Sequence, residues 1–203
     1  VRLERANALP AIIIRDLADG EEHAIAFDEA AYSLDTMGSY EFETTNLRFS
    51  YSSMSTPSEV YDYDMAKRTR VLRKRQEVPS GHDPADYVTT RIMATSHDGA
   101  LVPVSILHRK GLMRDGSAPL LLYGYGSYGM AMPASFNANR LSLVDRGFVY
   151  AIAHIRGGSD KGWGWYLDGK REKKTNSFDD FAAAGRALCE AKYTSAKRIV
   201  GHG

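Results

Sequence analysis

Pro119-Leu120-Leu121-Leu122-Tyr123-Gly124-Tyr125-Gly126-Ser127-Tyr128-Gly129 joins an apolar run to a loop punctuated by glycines. A short run without a polar residue is the pattern of a strand covered on both faces, as in a parallel sheet flanked by helices. Phe148-Val149-Tyr150-Ala151-Ile152-Ala153 repeats the pattern, and Asn137 to Arg146 between the two runs has helical spacing. Further on, Phe178, Phe181, Gly185 and Leu188 fall on one helical face, with a start signal in Ser177 and Asp180, an acid-bearing relative of the capping box. Arg198-Ile199-Val200-Gly201-His202-Gly203 is one more short strand running into glycines. Strands alternating with helices predict a mostly parallel sheet.

Toward the N-terminus, Tyr87 to Ser96 and Leu101 to Lys110 read as a hairpin about Asp98-Gly99. Before it, the turn-rich Pro79-Ser80-Gly81-His82-Asp83-Pro84 marks a shift in composition, and a domain boundary is expected there, dividing 1–80 from 81–203. Residues 1 to about 78 are dense in strand and turn signals. Ala11 to Ile14 and His23 to Phe27 flank Asp19-Gly20, a dipeptide suited to a tight hairpin turn, and Leu47 to Tyr51 pairs with Val60 to Asp64 across Ser55-Thr56-Pro57-Ser58. Arg70 to Arg73 adds a further strand. Such short strands suit a sandwich or the four-stranded blades of a propeller, and two units do not decide between them.

Composition narrows the function classes. The chain has 203 residues, 43% of them hydrophobic, enough to bury a core. Its 26 Lys and Arg against 25 Asp and Glu leave no field that would draw nucleic acid or an anionic membrane. The local run Lys67, Arg68, Arg70, Arg73, Lys74 and Arg75 alternates with Thr69, Val71 and Leu72 and reads as a solvated strand face. One cysteine, Cys189, excludes an intramolecular disulfide framework and fits a reducing compartment; with no apolar signal core at Val1 to Arg5, the expectation is a cytoplasmic protein. A start at Val1, inside what reads as a strand, suggests a fragment.

Gly124-Tyr125-Gly126-Ser127-Tyr128-Gly129 matches the dinucleotide fingerprint G-x-G-x-x-G, but Met130-Ala131-Met132-Pro133 does not continue as the helix that would hold a pyrophosphate. The other reading is a loop crossing the top of a sheet, where glycines allow close backbone approach, as an oxyanion-binding loop requires. The six histidines are scattered without metal-ligand spacing, so no metal is expected. Arg156, ending a buried strand, either binds an anion or ties loops together. Trp163, Trp165 and Tyr166 either pack in the core or line a cleft. Lys170, Arg171, Lys173 and Lys174 read as a solvated stretch.

Leu121 to Gly126, Asp145 to Gly158, Asp168-Gly169-Lys170, Lys173 to Phe181 and Tyr193-Thr194-Ser195 together closely resemble the prolyl oligopeptidase family of serine peptidases, and its oligopeptidase B branch most strongly. The resemblance implies an α/β hydrolase domain, of which 81–203 would be the first part, preceded by the last blades of a β-propeller in 1–80. It implies that Gly203 is the first glycine of the nucleophile elbow G-x-S-x-G, with Ser, Asp and His of the triad beyond it, so that the fragment alone would be inert. Ser127, Ser142, Ser159, Ser177 and Ser195 lie in no such context. By the same resemblance Tyr125 donates its hydroxyl to the oxyanion, and Tyr128 lines the substrate cleft. The implied activity is cofactor-free hydrolysis of short peptides, after Arg or Lys, through an acyl-enzyme. Pro133 and Ser135 stand where some oligopeptidase B members carry acidic residues suited to a basic substrate. Prolyl-specific or acylaminoacyl peptidases of the same fold are the alternatives, as is a noncatalytic scaffold whose propeller strands bind a partner. The oligomeric state is left open.

Overall fold

The computed structural model describes residues 1–41 and 43–203. Strands β1 (Arg2–Ala6), β2 (Leu9–Arg15) and β3 (Glu22–Ala24) form an antiparallel sheet in that order. Next, β4 (Tyr32–Thr36), β5 (Asn46–Ser53), β6 (Glu59–Asp64) and β7 (Thr69–Arg75) form a four-stranded antiparallel meander. Period-2 alternation sets the inward face: on β2, Pro10, Ile12 and Ile14 are buried while their neighbours are not. Ile12 and Ile14 pack with Ile25, Leu34, Phe49, Tyr51 and Tyr63 into a core shared by the two sheets. Edge strand β7 is exposed along its whole length, and its cations suit an edge that must not pair further. Arg73 and Arg75 reach back to Asp62 and Glu59 at 2.8 and 2.7 Å.

A single 3₁₀ turn over Pro84–Asp86 leads into β8 (Tyr87–Thr95) and β9 (Leu101–Arg109). Gly99 closes their hairpin at φ +84°, a conformation that an L side chain rarely adopts. The chain continues as β10 (Leu120–Tyr123), α1 (Ala138–Val144), β11 (Val149–Ala153), α2 (Trp163–Leu167), α3 (Thr175–Glu190) and β12 (Ile199–His202). The third sheet has the order β12-β10-β11-β9-β8. Its β11-β10-β12 part is parallel, and the β8–β9 hairpin joins β11 antiparallel, so the sheet is mixed.

Helices cover both faces. On one, Ala184 and Leu188 of α3 pack on Val104, Ile106, Leu120, Leu122 and Ala151. On the other, Leu141 and Val144 of α1 pack with Leu107, Tyr150 and Ile152, and Ala31 and Met54 of the N-terminal region join the same cluster. All five residues of β11 are therefore buried. Asn137 caps α1, its side chain accepting from the amides of Asn139 and Arg140. Polar contacts reinforce the shared core: the Phe136 amide donates to Ser52 Oγ at 2.9 Å and the Ala8 amide to the Asp160 carbonyl at 2.9 Å.

The last helix differs from its sequence reading. It begins at Thr175, with Lys174 as N-cap, so Ser177 lies inside the first turn and makes no cap. Its buried face is Ser177, Asp180, Ala183, Ala184 and Leu188, while Phe178 is 66% exposed. Asp180, paired with Arg156, sits on the buried face, and Phe181 packs against the core beside it. Among the described residues no helix is long and apolar enough to cross a membrane.

Candidate active site

Gly124 leaves β10 at the top of the sheet, its amide donating to the His202 carbonyl at 3.1 Å in register with the neighbouring β12. From there to Asn137 the chain is a loop, and no helix opens at its glycines, so the dinucleotide reading fails on geometry. The loop crosses the end of β11 at very short range. A side chain on Gly126 would meet Ile155 at 2.6 Å, and one on Gly157 would lie 2.0 Å from the Gly126 carbonyl oxygen. At Gly203 the same holds: a Cβ there would stand 2.2 Å from the Gly124 oxygen. Glycine is thus demanded where β12 meets the loop.

A cavity of about 510 Å³ opens between Gly124, Tyr125 and Ser127 on one side and Lys174, Phe178 and Phe181 on the other, with Gly203 at its edge. Tyr125 is half-buried in its wall. Tyr128 is 84% exposed at φ +56° and does not line this cavity, so the two tyrosines are not brought together. Beyond Tyr128, Gly129 lies against Trp163 and Tyr166, whose rings are 4.7 Å apart. Those two rings flank the loop, whereas Trp165 packs inward and donates its indole N–H to the His154 carbonyl at 3.0 Å. Of the cluster, Trp165 takes the core role, and none of the three lines the cavity.

Arg156 is held by two carboxylates and does not line the cavity. Its guanidinium meets Asp180 at 2.9 and 2.7 Å and Asp98 at 2.5 and 3.1 Å, and its backbone amide adds a bond to Asp180 at 3.0 Å. Hydrogen bonds from Arg156 hold the Asp98 carboxyl down at about 2, while donating to Asp180 and Asp98 pushes the guanidinium above its ordinary value. The cluster ties the β8–β9 turn, the end of β11 and α3 together beneath the glycine loop.

Two constellations escaped the sequence reading. Ser105 Oγ lies 2.8 Å from His154 Nε2, and His154 Nδ1 lies 2.9 Å from Asp160 Oδ1, which also accepts the Met132 amide at 3.0 Å. This is the connectivity of a nucleophile, base and acid, yet the three residues are 1%, 1% and 2% exposed. No substrate carbonyl reaches Ser105, so the chain braces the core. His154 and Asp160 are six apart in a loop-bearing segment while Ser105 comes from the hairpin, and only the fold joins them. The second is Lys174, half-buried and bonded to the glycine loop, which corrects its reading as part of a solvated stretch; Arg171 and Lys173 are exposed. Among the described residues no group of three or more His, Cys, Asp or Glu is placed to hold a metal ion.

Comparison with known proteins fits this geometry. The model of the prolyl oligopeptidase family matches residues 134–203, and that of the prolyl oligopeptidase N-terminal β-propeller domain matches residues 1–76. Dipeptidyl aminopeptidase BI of Pseudoxanthomonas mexicana is 43% identical over 201 residues, 98% of this chain and 28% of its own length. Protease 2 of Moraxella lacunata is 33% identical over 98% of this chain and 29% of its own length. Among solved structures, oligopeptidase B from Leishmania major superposes with a TM-score of 0.87 at 35% identity, covering 98% of this chain and 29% of that one. The chain thus spans under a third of the length of these relatives.

Proposed function

The chain belongs to the prolyl oligopeptidase family, and from that premise we propose that the whole protein is a serine peptidase acting on short peptides, in which this chain supplies the oxyanion-binding loop and the strand leading to the nucleophile. The observation that carries the reading is the contact between Gly203 and Gly124: chain continuing past Gly203 emerges beside Tyr125. In the proposed site a serine two residues beyond Gly203, on a nucleophile elbow, attacks the scissile carbonyl; His and Asp farther along complete the triad. The Tyr125 hydroxyl donates to the oxyanion as it forms. Tyr128, exposed on the same loop, is proposed to meet substrate once the cleft is complete.

Residues 1–80 are assigned to the propeller and 81–203 to the hydrolase, a division supported by the turn at Pro84–Asp86. The protein is proposed to work in the cytoplasm without a cofactor. For specificity we propose cleavage after Arg or Lys, supported by the likeness to oligopeptidase B. A second reading, release of dipeptides from a free N-terminus, is favoured by the 43% identity to a dipeptidyl aminopeptidase.

The experiment is hydrolysis of arginyl, prolyl and dipeptidyl anilides by the full-length protein and by its Tyr125→Phe variant. Turnover of at least one substrate is expected, with kcat falling roughly 10²- to 10³-fold in the variant and KM changing far less. A full-length protein that hydrolyses none of them rejects the reading, and the preferred substrate decides between the two specificities.

A further inference from the structure

Lys174 sits where elementary electrostatics does not favour a cation. It is the N-cap of α3, at the positive end of the helix dipole, and burial lowers its pKa. Among the described residues it forms no ion pair. What it has instead is three oxygen acceptors: the Gly126 carbonyl at 2.5 Å, Ser127 Oγ at 2.9 Å and Ser177 Oγ at 3.3 Å. Ser177 Oγ gives its own proton to the Arg156 carbonyl at 2.6 Å, which leaves a lone pair for Lys174.

An ammonium group has three protons, and three acceptors consume them. A lysine that captured a substrate carboxylate would need a free donor, and this one has none. Two of its bonds go to the glycine loop at the Gly126–Ser127 peptide, one residue beyond Tyr125, and the third goes to α3. The Gly126 carbonyl is already confined on its other side by the Cα of Gly157. With Gly126, Tyr128 and Gly129 all at positive φ, the loop has little regular hydrogen bonding of its own, and Lys174 is the side chain that fastens its near end to α3.

We propose that Lys174 is a positioning residue: its ammonium fixes the Gly126–Ser127 peptide and thereby aims the Tyr125 hydroxyl at the reacting carbonyl. The proposal rests on the oxyanion role given to Tyr125. A donor works in this way only if held in place before the charge develops, and a misplacement of about 1 Å costs on the order of 10²-fold in rate.

The test is a double-mutant cycle in the full-length protein. Lys174→Met keeps the apolar stem and removes the ammonium; kcat is expected to fall roughly 10- to 100-fold with KM within about twofold of the parent. In the Tyr125→Phe background the same change is expected to cost little more, because nothing remains to be aimed. Equal losses in both backgrounds, or a raised KM with kcat intact, overturn the assignment of Lys174. If Tyr125→Phe alone leaves kcat unchanged, the oxyanion reading itself falls. Should Lys174→Met fail to unfold cooperatively, Lys174→Gln, which keeps an amide donor, replaces it in the cycle and is expected to lose less activity with the same dependence on Tyr125.

Discussion

Two arginine–carboxylate clusters, one in each half of the molecule, are made of the same residue types, and each holds one aspartate, Asp62 or Asp98, at about 2. Across β5, β6 and β7 of the meander, Asp62 accepts from Arg48 at 2.6 Å and Arg73 at 2.8 Å, and those bonds bring its carboxyl to about 2. Below the glycine loop, Arg156 is shared by Asp98 and Asp180. The difference is solvent: the side chains of Arg48 and Arg73 are each 54% exposed, whereas those of Arg156 and Asp180 are 5% and 0% exposed. In the first cluster water replaces a lost partner; at the Arg156–Asp180 pair nothing does. Similar pKa displacements therefore do not imply similar contributions to the fold.

The sharpest way to break the comparison is Asp180→Asn. It leaves a buried guanidinium facing one partly exposed aspartate, and a loss of about 3 kcal/mol is expected, read as a shift of the urea midpoint at constant slope in the full-length protein. Replacing Arg156 and Asp180 together by apolar residues of similar volume is expected to recover part of that loss, because removal of both charges removes the uncompensated one. A smaller effect is expected at the Ser105–His154–Asp160 brace. Ser105→Ala leaves His154 Nε2 without its buried partner, for a cost of about 1 to 3 kcal/mol with kcat little changed, since the brace touches no substrate. A collapse of kcat at full stability would instead give Ser105 a chemical role.

How much of this was legible in the sequence follows from the range of the interactions. Period-2 alternation and turn dipeptides located β2, β5, β6, β8 and β9, because the pattern of a strand is written in consecutive residues. The apolar runs located β10 and β11 for the same reason. Strand β4, Tyr-Ser-Leu-Asp-Thr, went unread: only Leu34 turns fully inward, so it has no repeating apolar signal. The five-residue helix α2 is likewise too short to show a period. At the site, the glycines announced close approach, but nothing local says that Gly157 and Gly203 are the surfaces approached. Lys174 was read from its basic neighbours as solvated, although its environment is set by a loop 48 residues earlier. The one signal that could have separated it is its place immediately before α3, where a cation needs a reason to stay.

The smallest mutational effect is expected on the surface cluster: Arg73→Ala should cost less than about 1 kcal/mol, and Asp62 keeps Arg48. Acid alone does not distinguish the two clusters. Asp62 and Asp98 both move from 3.8 to about 2, so each stabilises the fold above the free value and ceases to do so as pH falls from about 4 through 2. Salt separates them. At 1 M ionic strength the screening length is about 3 Å, short enough to weaken charges in open water but not those closed off from it. The acid-induced loss of stability should therefore shrink in high salt for a protein carrying Asp98→Asn, in which Asp62 is the remaining depressed aspartate of the two, and persist for one carrying Asp62→Asn, where Asp98 still faces the dry guanidinium of Arg156. Equal salt responses in the two variants would mean that the Asp98 side of the buried cluster, whose carboxylate is 38% exposed, is as wet as the strand edge, and would leave Asp180 alone as the dry partner of Arg156.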